Sequence, residues 1–248
     1  MKIIAIIQAR MSSERLPGKV IKHLNSIPMI VQIYRRAVKA VNVDKVIVAT
    51  SLDKTDDALA DVCRKYGVPV FRGSLSNVLE RFFKCATQEN ADVIVRLTGD
   101  NALIDPALID KAVDHFKRNE LDYLNYCKEL PLGMSAEVFS YSALAKAYEE
   151  TNDMECKEHV TLYMYGNGDK FKWEKYSDEK LEDHSDIRLT VDTKEDFELI
   201  SLIYSCFKDN EFDYNNIIDL LRKNPDWRFI NKNIKQKEIL YYGEENKI

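Results

Sequence analysis

Apolar residues arrive in short unbroken runs, separated by polar loops and by stretches of helical spacing. Ile3-Ile4-Ala5-Ile6-Ile7 is the first run. A β-branched series without polar alternation fits a strand buried on both faces of a parallel sheet. Val43–Thr50 and Asp92–Leu97 repeat the pattern, and Val68–Phe71 is a shorter version of it. Between these runs the apolar period lengthens. Ile27–Val41 places Ile30, Ile33, Tyr34, Ala37 and Val38 at helical spacing. Asp53–Tyr66 opens with acidic residues, as a helix N-terminus prefers, and Asn77–Glu89 reads as another helix. Pro106–Arg118 has its proline in the first turn and Asp105 placed to cap it.

Strand then helix, repeated, is the order that right-handed crossovers turn into a parallel sheet. The second half is more mixed. Asp122–Asn125, Glu137–Ser140, Phe171–Tyr176 and Ile187–Val191 read as strands, with helices at Tyr141–Glu150, Glu155–Tyr165 and Glu195–Phe207. The expected class is therefore three-layer α/β, with a mostly parallel sheet and a smaller mixed lobe. Functional loops belong at the carboxyl ends of the strands. One domain is expected over residues 1–231, followed by a charged tail at 232–248.

Composition narrows the function classes. The 248 residues are 45% hydrophobic and 31% charged, an ordinary globular balance. A net charge of -5 argues against a general nucleic-acid binder, while leaving room for a local basic pocket. Five scattered cysteines with no CxxC pair fit a reducing compartment and no structural zinc. The first apolar run is too short for a secretory signal, and no run approaches the ~20 residues that span a bilayer. A cytoplasmic protein without membrane insertion is expected.

The loop after the first strand reads Gln8-Ala9-Arg10-Met11-Ser12-Ser13-Glu14-Arg15-Leu16-Pro17-Gly18-Lys19. Arg10, Arg15 and Lys19 sit among two hydroxyls, a proline and a glycine, where an open α/β sheet binds its ligands. A triphosphate carries close to four negative charges, and guanidinium forks with an ammonium suit its oxygens. Backbone N–H groups near Gly18 are further donors. The Walker spacing is absent, so this is a different phosphate loop, or else a solvated basic turn.

Ala9-Arg10, Ser13, then Arg15-Leu16-Pro17-Gly18-Lys19 after a short strand resembles the CMP-sugar-acid synthetases. That family includes CMP-Kdo synthetase, N-acylneuraminate cytidylyltransferase and, closest in layout, the SpsF-like spore-coat-polysaccharide cytidylyltransferases. The resemblance continues through Pro28-Met29-Ile30, Val46–Thr50, Arg72-Gly73 and Asn77–Arg81. It then takes in Arg96–Asp100, Leu103–Pro106, Glu137–Ser140, Glu158–Thr161 and Arg188–Asp192. It spans nearly the whole chain with its motifs in order. It implies a Rossmann-like nucleotide-diphospho-sugar transferase fold, with a nucleotide-binding half over about 1–120 and an acceptor and dimerisation half over about 121–231.

The implied reaction takes CTP and a small acidic, sugar-like acceptor such as a 2-keto-3-deoxy sugar acid, releases pyrophosphate, and serves surface polysaccharide synthesis in a homodimer. Asp100 follows a buried strand and Gly99, where a carboxylate points into the crevice and glycine leaves room for a ligand. In the resembling enzymes the aspartates at Asp100 and Asp192 hold Mg²⁺; a helix cap or turn is the plainer reading of each. The resemblance makes Lys19, Arg10 and Asp100 catalytic. It places the nucleotide against Ala9, Arg10, Ser12, Ser13, Arg15, Gly18, Lys19, Arg72, Asn77 and Arg81. Glu137, Glu158 and His159 are implied on the acceptor side.

The segment Gly99-Asp100-Asn101-Ala102 departs from the Gly-Asp-Cys-Pro usual in SpsF-like chains; Ala102 frees a backbone that proline would fix. A nucleotide-sugar-dependent glycosyltransferase and a non-catalytic nucleotide-binding module are the alternatives. The former normally carries a DxD pair, which Asp100-Asn101 lacks.

Overall fold

Alternation within a single strand shows where the core lies. In β1 (Ile3–Gln8), Ile3, Ala5 and Ile7 point into one buried cluster, and Ile4 and Ile6 into another on the opposite face. Each fully buried isoleucine contributes roughly 1.5–3 kcal/mol, so this one strand ties two helical layers to the sheet. The computed structural model describes residues 1–178, 181–208 and 211–236.

After the cationic loop and a single 3₁₀ turn, β2 (His23–Leu24) and β3 (Ile27–Pro28) form a small antiparallel hairpin. The first helix, α1, therefore begins at Met29 and runs to Ala37 rather than starting at Ile27. Pro28 is the reason, because the residue before a proline is driven to extended backbone. Then follow β4 (Lys45–Ser51), α2 (Asp57–Lys65), β5 (Val70–Gly73), α3 (Val78–Gln88), β6 (Val93–Thr98) and α4 (Pro106–Arg118), close to expectation. Asp105 caps α4 through the Ala107 N–H at 2.7 Å. The second half contributes β7 (Tyr123–Asn125), β8 (Glu137–Ser140), α5 (Tyr141–Glu150), α6 (Met154–Glu158), α7 (Leu162–Gly166), β9 (Trp173–Lys175), α8 (Lys194–Ser205) and α9 (Tyr214–Lys223).

The main sheet has the order β5-β4-β1-β6-β8-β7-β9. β5, β4, β1 and β6 are mutually parallel; β8 runs antiparallel to β6 and β7, and β9 is parallel to β7. The class is the expected three-layer, Rossmann-like α/β. Side chains from α1, α2, α4, α8 and α9 cover one face, and those from α3, α5 and α7 the other. No described helix is long and apolar enough to cross a membrane.

Three expectations change. Ile187–Val191 is not a strand of the sheet. It meets Leu132 through one isolated bridge, with Leu132 N–H donating to Ile187 and Leu189 N–H to Leu132. A Cβ on Gly133 would stand 2.7 Å from the Thr190 nitrogen, so the two segments pass too closely for any other residue there. The helix expected over Glu155–Tyr165 is interrupted at His159-Val160-Thr161, because Val160 enters the core and Thr161 turns inward to bond Glu137. Helix α9 was not anticipated; its N-terminus is a reciprocal cap between Asp213 and Asn216. Of the charged tail, residues 237–248 lie outside the described residues.

Candidate active site

The cationic loop is a folded object. Ser13 N–H and Gly18 N–H both donate to the Met11 carbonyl, at 2.9 and 3.0 Å, and Leu16 is buried beneath them. Gly18 supplies the left-handed residue at φ 67 that lets the chain turn into Lys19. The loop is held from below by Asp56, fully buried at the start of α2, which accepts the Met11 N–H at 2.7 Å and also binds Ser51. Sequence reasoning passed over Asp56, seeing only an acidic first turn of a helix. Ala9 is buried against the end of β4, Ser13 Oγ accepts the Leu16 N–H at 3.4 Å, and Ser12 faces solvent.

Lys19 is the meeting point. It is buried, and its Nζ donates to the Val191 carbonyl at 2.6 Å and to Asp192 Oδ1 at 2.9 Å, with Asp100 Oδ2 at 3.6 Å. The two aspartates that lie far apart in sequence therefore converge on one ammonium. Arg15 reaches Asp192 Oδ2 at 2.9 Å. Asp100 is steadied by the Thr98 hydroxyl, and its carbonyl accepts the Val191 N–H at 2.9 Å. Gly99 permits this approach: a Cβ there would lie 2.9 Å from that of Ala9. Burial pushes the Asp192 carboxyl up, but the hydrogen bond and charge of Lys19, with Arg15 and Arg188, hold it below the usual carboxylate range. Two convergent carboxylates beside a cationic loop are a donor set that fits Mg²⁺, which takes one or two carboxylates and completes its shell with phosphate oxygens and water. Among the described residues no group of three or more His, Cys, Asp or Glu side chains is placed to hold a metal, so this pair supplies at most two protein ligands.

Arg10 lies at the outer side of the same loop. Its guanidinium is 3.3 Å from Glu158, and both line an open cleft of about 480 Å³ with His159, Met154, Leu75 and Ser76.

The family model described as cytidylyltransferase matches residues 4–247. The chain belongs to the cytidylyltransferase family. It is 41% identical over 96% of its length to an uncharacterized protein of Methanocaldococcus jannaschii, of which it covers 97%. It is 36% identical over 90% of its length to the spore coat polysaccharide biosynthesis protein SpsF of Bacillus subtilis, covering 95% of that protein. A 3-deoxy-manno-octulosonate cytidylyltransferase of Geobacter metallireducens is 40% identical over 66% of this chain and 75% of its own. Among solved structures, a cytidylyltransferase from Leptospira borgpetersenii superposes with a TM-score of 0.87 at 35% identity, covering 96% of this chain and all of that one. The chain is thus a nucleotidyltransferase.

In this cytidylyltransferase the remaining expected contacts are spread more widely. Glu137 has both oxygens taken: Oε1 accepts from Tyr123 at 2.6 Å and Thr161 at 2.8 Å, and Oε2 pairs with Arg96. Three of its roughly four lone-pair positions are thus taken. Arg72 spends its guanidinium on the Ser51 and Asp53 carbonyls and on Asp57 at 2.7 Å. The Asn77 side chain caps α3 through the Glu80 N–H at 2.9 Å. Arg81 is fully buried; Nη1 donates to the Ser74 carbonyl, while Nε and Nη2 have no partner. Burial pushes its guanidinium down to about 10, partly offset by Asp56.

Proposed function

We propose that this cytidylyltransferase transfers CMP from CTP to a small acidic, sugar-like acceptor, of which 2-keto-3-deoxy sugar acids are the leading class, with Mg²⁺ held by Asp100 and Asp192. The observation that carries the reading is Lys19 seated between two carboxylates at the mouth of the cationic loop. An acceptor hydroxyl oxygen attacks the α-phosphorus, the bond to the β-phosphate oxygen breaks, and pyrophosphate departs. Little covalent work falls to the protein, so orientation and charge compensation dominate.

Lys19 and Arg15 exchange their present carboxylate partners for triphosphate oxygens and hold the leaving group in line. Arg10 spans the loop and the cleft, where it steadies the α-phosphate next to the acceptor. A bound Mg²⁺ supplies charge neutralisation and a lowered pKa for the attacking hydroxyl. Glu158 and His159 line the cleft in which the acceptor rests. The relatives named for 3-deoxy-manno-octulosonate and for spore-coat polysaccharide support a sugar-acid acceptor.

The test is a panel of CTP, UTP, GTP and ATP crossed with small acidic acceptors, read as pyrophosphate. Release with CTP plus a sugar acid, dependent on added Mg²⁺, is the expected result. Release with no acid in the panel, or undiminished release after chelation, would overturn the acceptor or the metal half respectively.

A further inference from the structure

Asp196 is fully buried, and its carboxylate is more heavily bonded than a helix cap requires. It closes a reciprocal cap with Thr193 at the start of α8, and its Oδ2 accepts the backbone N–H groups of Asp192 and Thr193 at 2.9 and 3.0 Å. An asparagine would serve such a cap equally well, and burying a carboxylate is costly unless a cation pays it back. The cation is Arg188. Its Nε lies 2.9 Å from Asp196 Oδ1 and its Nη2 3.0 Å from Oδ2, a fork-to-fork pair. Asn231, beyond α9, donates to Asp196 Oδ1 at 2.9 Å and to the Arg188 carbonyl at 3.0 Å, and Gln236 accepts from Arg188 Nη1 at 2.6 Å.

The same Nη2 also lies 2.8 Å from Asp192 Oδ2. Asp192 therefore meets three cations, and they are not equivalent. Arg15 and Lys19 sit on the nucleotide loop and have phosphate oxygens to move to. Arg188 is locked in place and stays beside Asp192 whatever binds. An uncompensated guanidinium at that distance would repel any divalent ion on the same carboxylate.

We infer that Asp196 is a positioning residue for the reaction: it neutralises and fixes Arg188, so that the guanidinium beside Asp192 does not repel a divalent cation bound there. The inference rests on the assignment of Asp192 as a metal carboxylate.

The experiment is Mn²⁺ binding to the full-length protein, followed by the electron paramagnetic resonance signal of free Mn²⁺, in four variants whose folding is checked by thermal melts. Asp196→Asn keeps the cap and removes the charge; its Mn²⁺ affinity falls about 10–100-fold, the range for partners behind a metal ligand. Adding Arg188→Gln to it removes the exposed guanidinium and restores affinity to within about threefold of wild type. A purely structural Asp196 would show no such rescue. Wild-type affinity in Asp196→Asn, or a double variant no tighter than the single one, overturns the inference. If Asp196→Asn does not fold, Arg188→Gln alone decides: Mn²⁺ affinity held or raised supports it, and weakened Mn²⁺ binding overturns it. Asp192→Asn is the control. If it binds Mn²⁺ like wild type, the underlying metal assignment fails and takes the inference with it.

Discussion

Carboxylates and cations meet at two places in this molecule, and they are built differently. Around Glu137, one carboxylate faces one guanidinium, Arg96, at one oxygen and accepts two hydroxyls at the other. The partners stand on β6, β7 and the α6–α7 break, with Arg96 directly across the ladder from Glu137. Around Lys19, Asp100 and Asp192 share one ammonium, and Asp192 also meets Arg15 from the loop and Arg188 four residues before it. The first cluster is closed and serves the fold. The second gathers more cations than one carboxylate needs, and under the proposed function Lys19 and Arg15 are the ones that turn to the triphosphate.

The contrast is broken most severely at Glu137. Glu137→Ala leaves the half-buried Arg96 without a carboxylate and with only Gln8 to bond, and should cost about 3 kcal/mol of stability in urea melts. Burial pushes this carboxyl up, but the charge of Arg96 with the Tyr123 and Thr161 bonds holds it below the ordinary range. Its folded value is thus depressed. The ion pair's contribution is complete above the unfolded carboxylate pKa and fades as pH falls through the folded one. Melts of wild type and Glu137→Gln should therefore differ by a constant amount near neutrality and converge below about pH 4.

Asp100→Ala tests the other cluster: a loss on the order of 100-fold or more in kcat for pyrophosphate release is expected, with little change in melting temperature. A variant that unfolds, or one that keeps its rate, removes the distinction between the two clusters. Gly99→Ala should act in between, because its new Cβ meets Ala9 and pushes β6 from β1; roughly 1–3 kcal/mol of strain is expected, read as lower stability and a raised KM for CTP. The mildest change is Glu158→Gln. With Arg10 and Glu158 side chains 44% and 51% exposed, their pairing is worth no more than about 1 kcal/mol, and the variant should melt like wild type. Any kinetic effect belongs in the acceptor KM.

Buried strands and their helices were legible because continuous β-branched runs leave few alternatives, and Asp105 capped α4 as read. What was not legible depends on distant partners. Ile187–Val191 has strand composition, but its backbone groups find Leu132 and Asp100 rather than a sheet edge. Glu137 carries no local sign that Tyr123 and Thr161 will consume it. Asp196 fell unremarked inside the helix expected over Glu195–Phe207. Its bond to Arg188 eight positions earlier requires the bend at Asp192 that the fold supplies. The meeting of Asp100 and Asp192 beside the loop was expected from the family resemblance, and the geometry brings both carboxylates to Lys19.

Lys19 finds its carbonyl partner 172 residues further along the chain. On a ribosome adding about 5–20 residues per second, the cationic loop is made on the order of ten seconds before Val191 and Asp192 exist, and longer before Asn231 emerges. A nascent or prematurely released fragment ending short of that point has the loop cations without Val191 and Asp192, which seat Lys19 and Arg15. The completed C-terminal third is thus what converts a loose basic turn into a charge-compensated cluster.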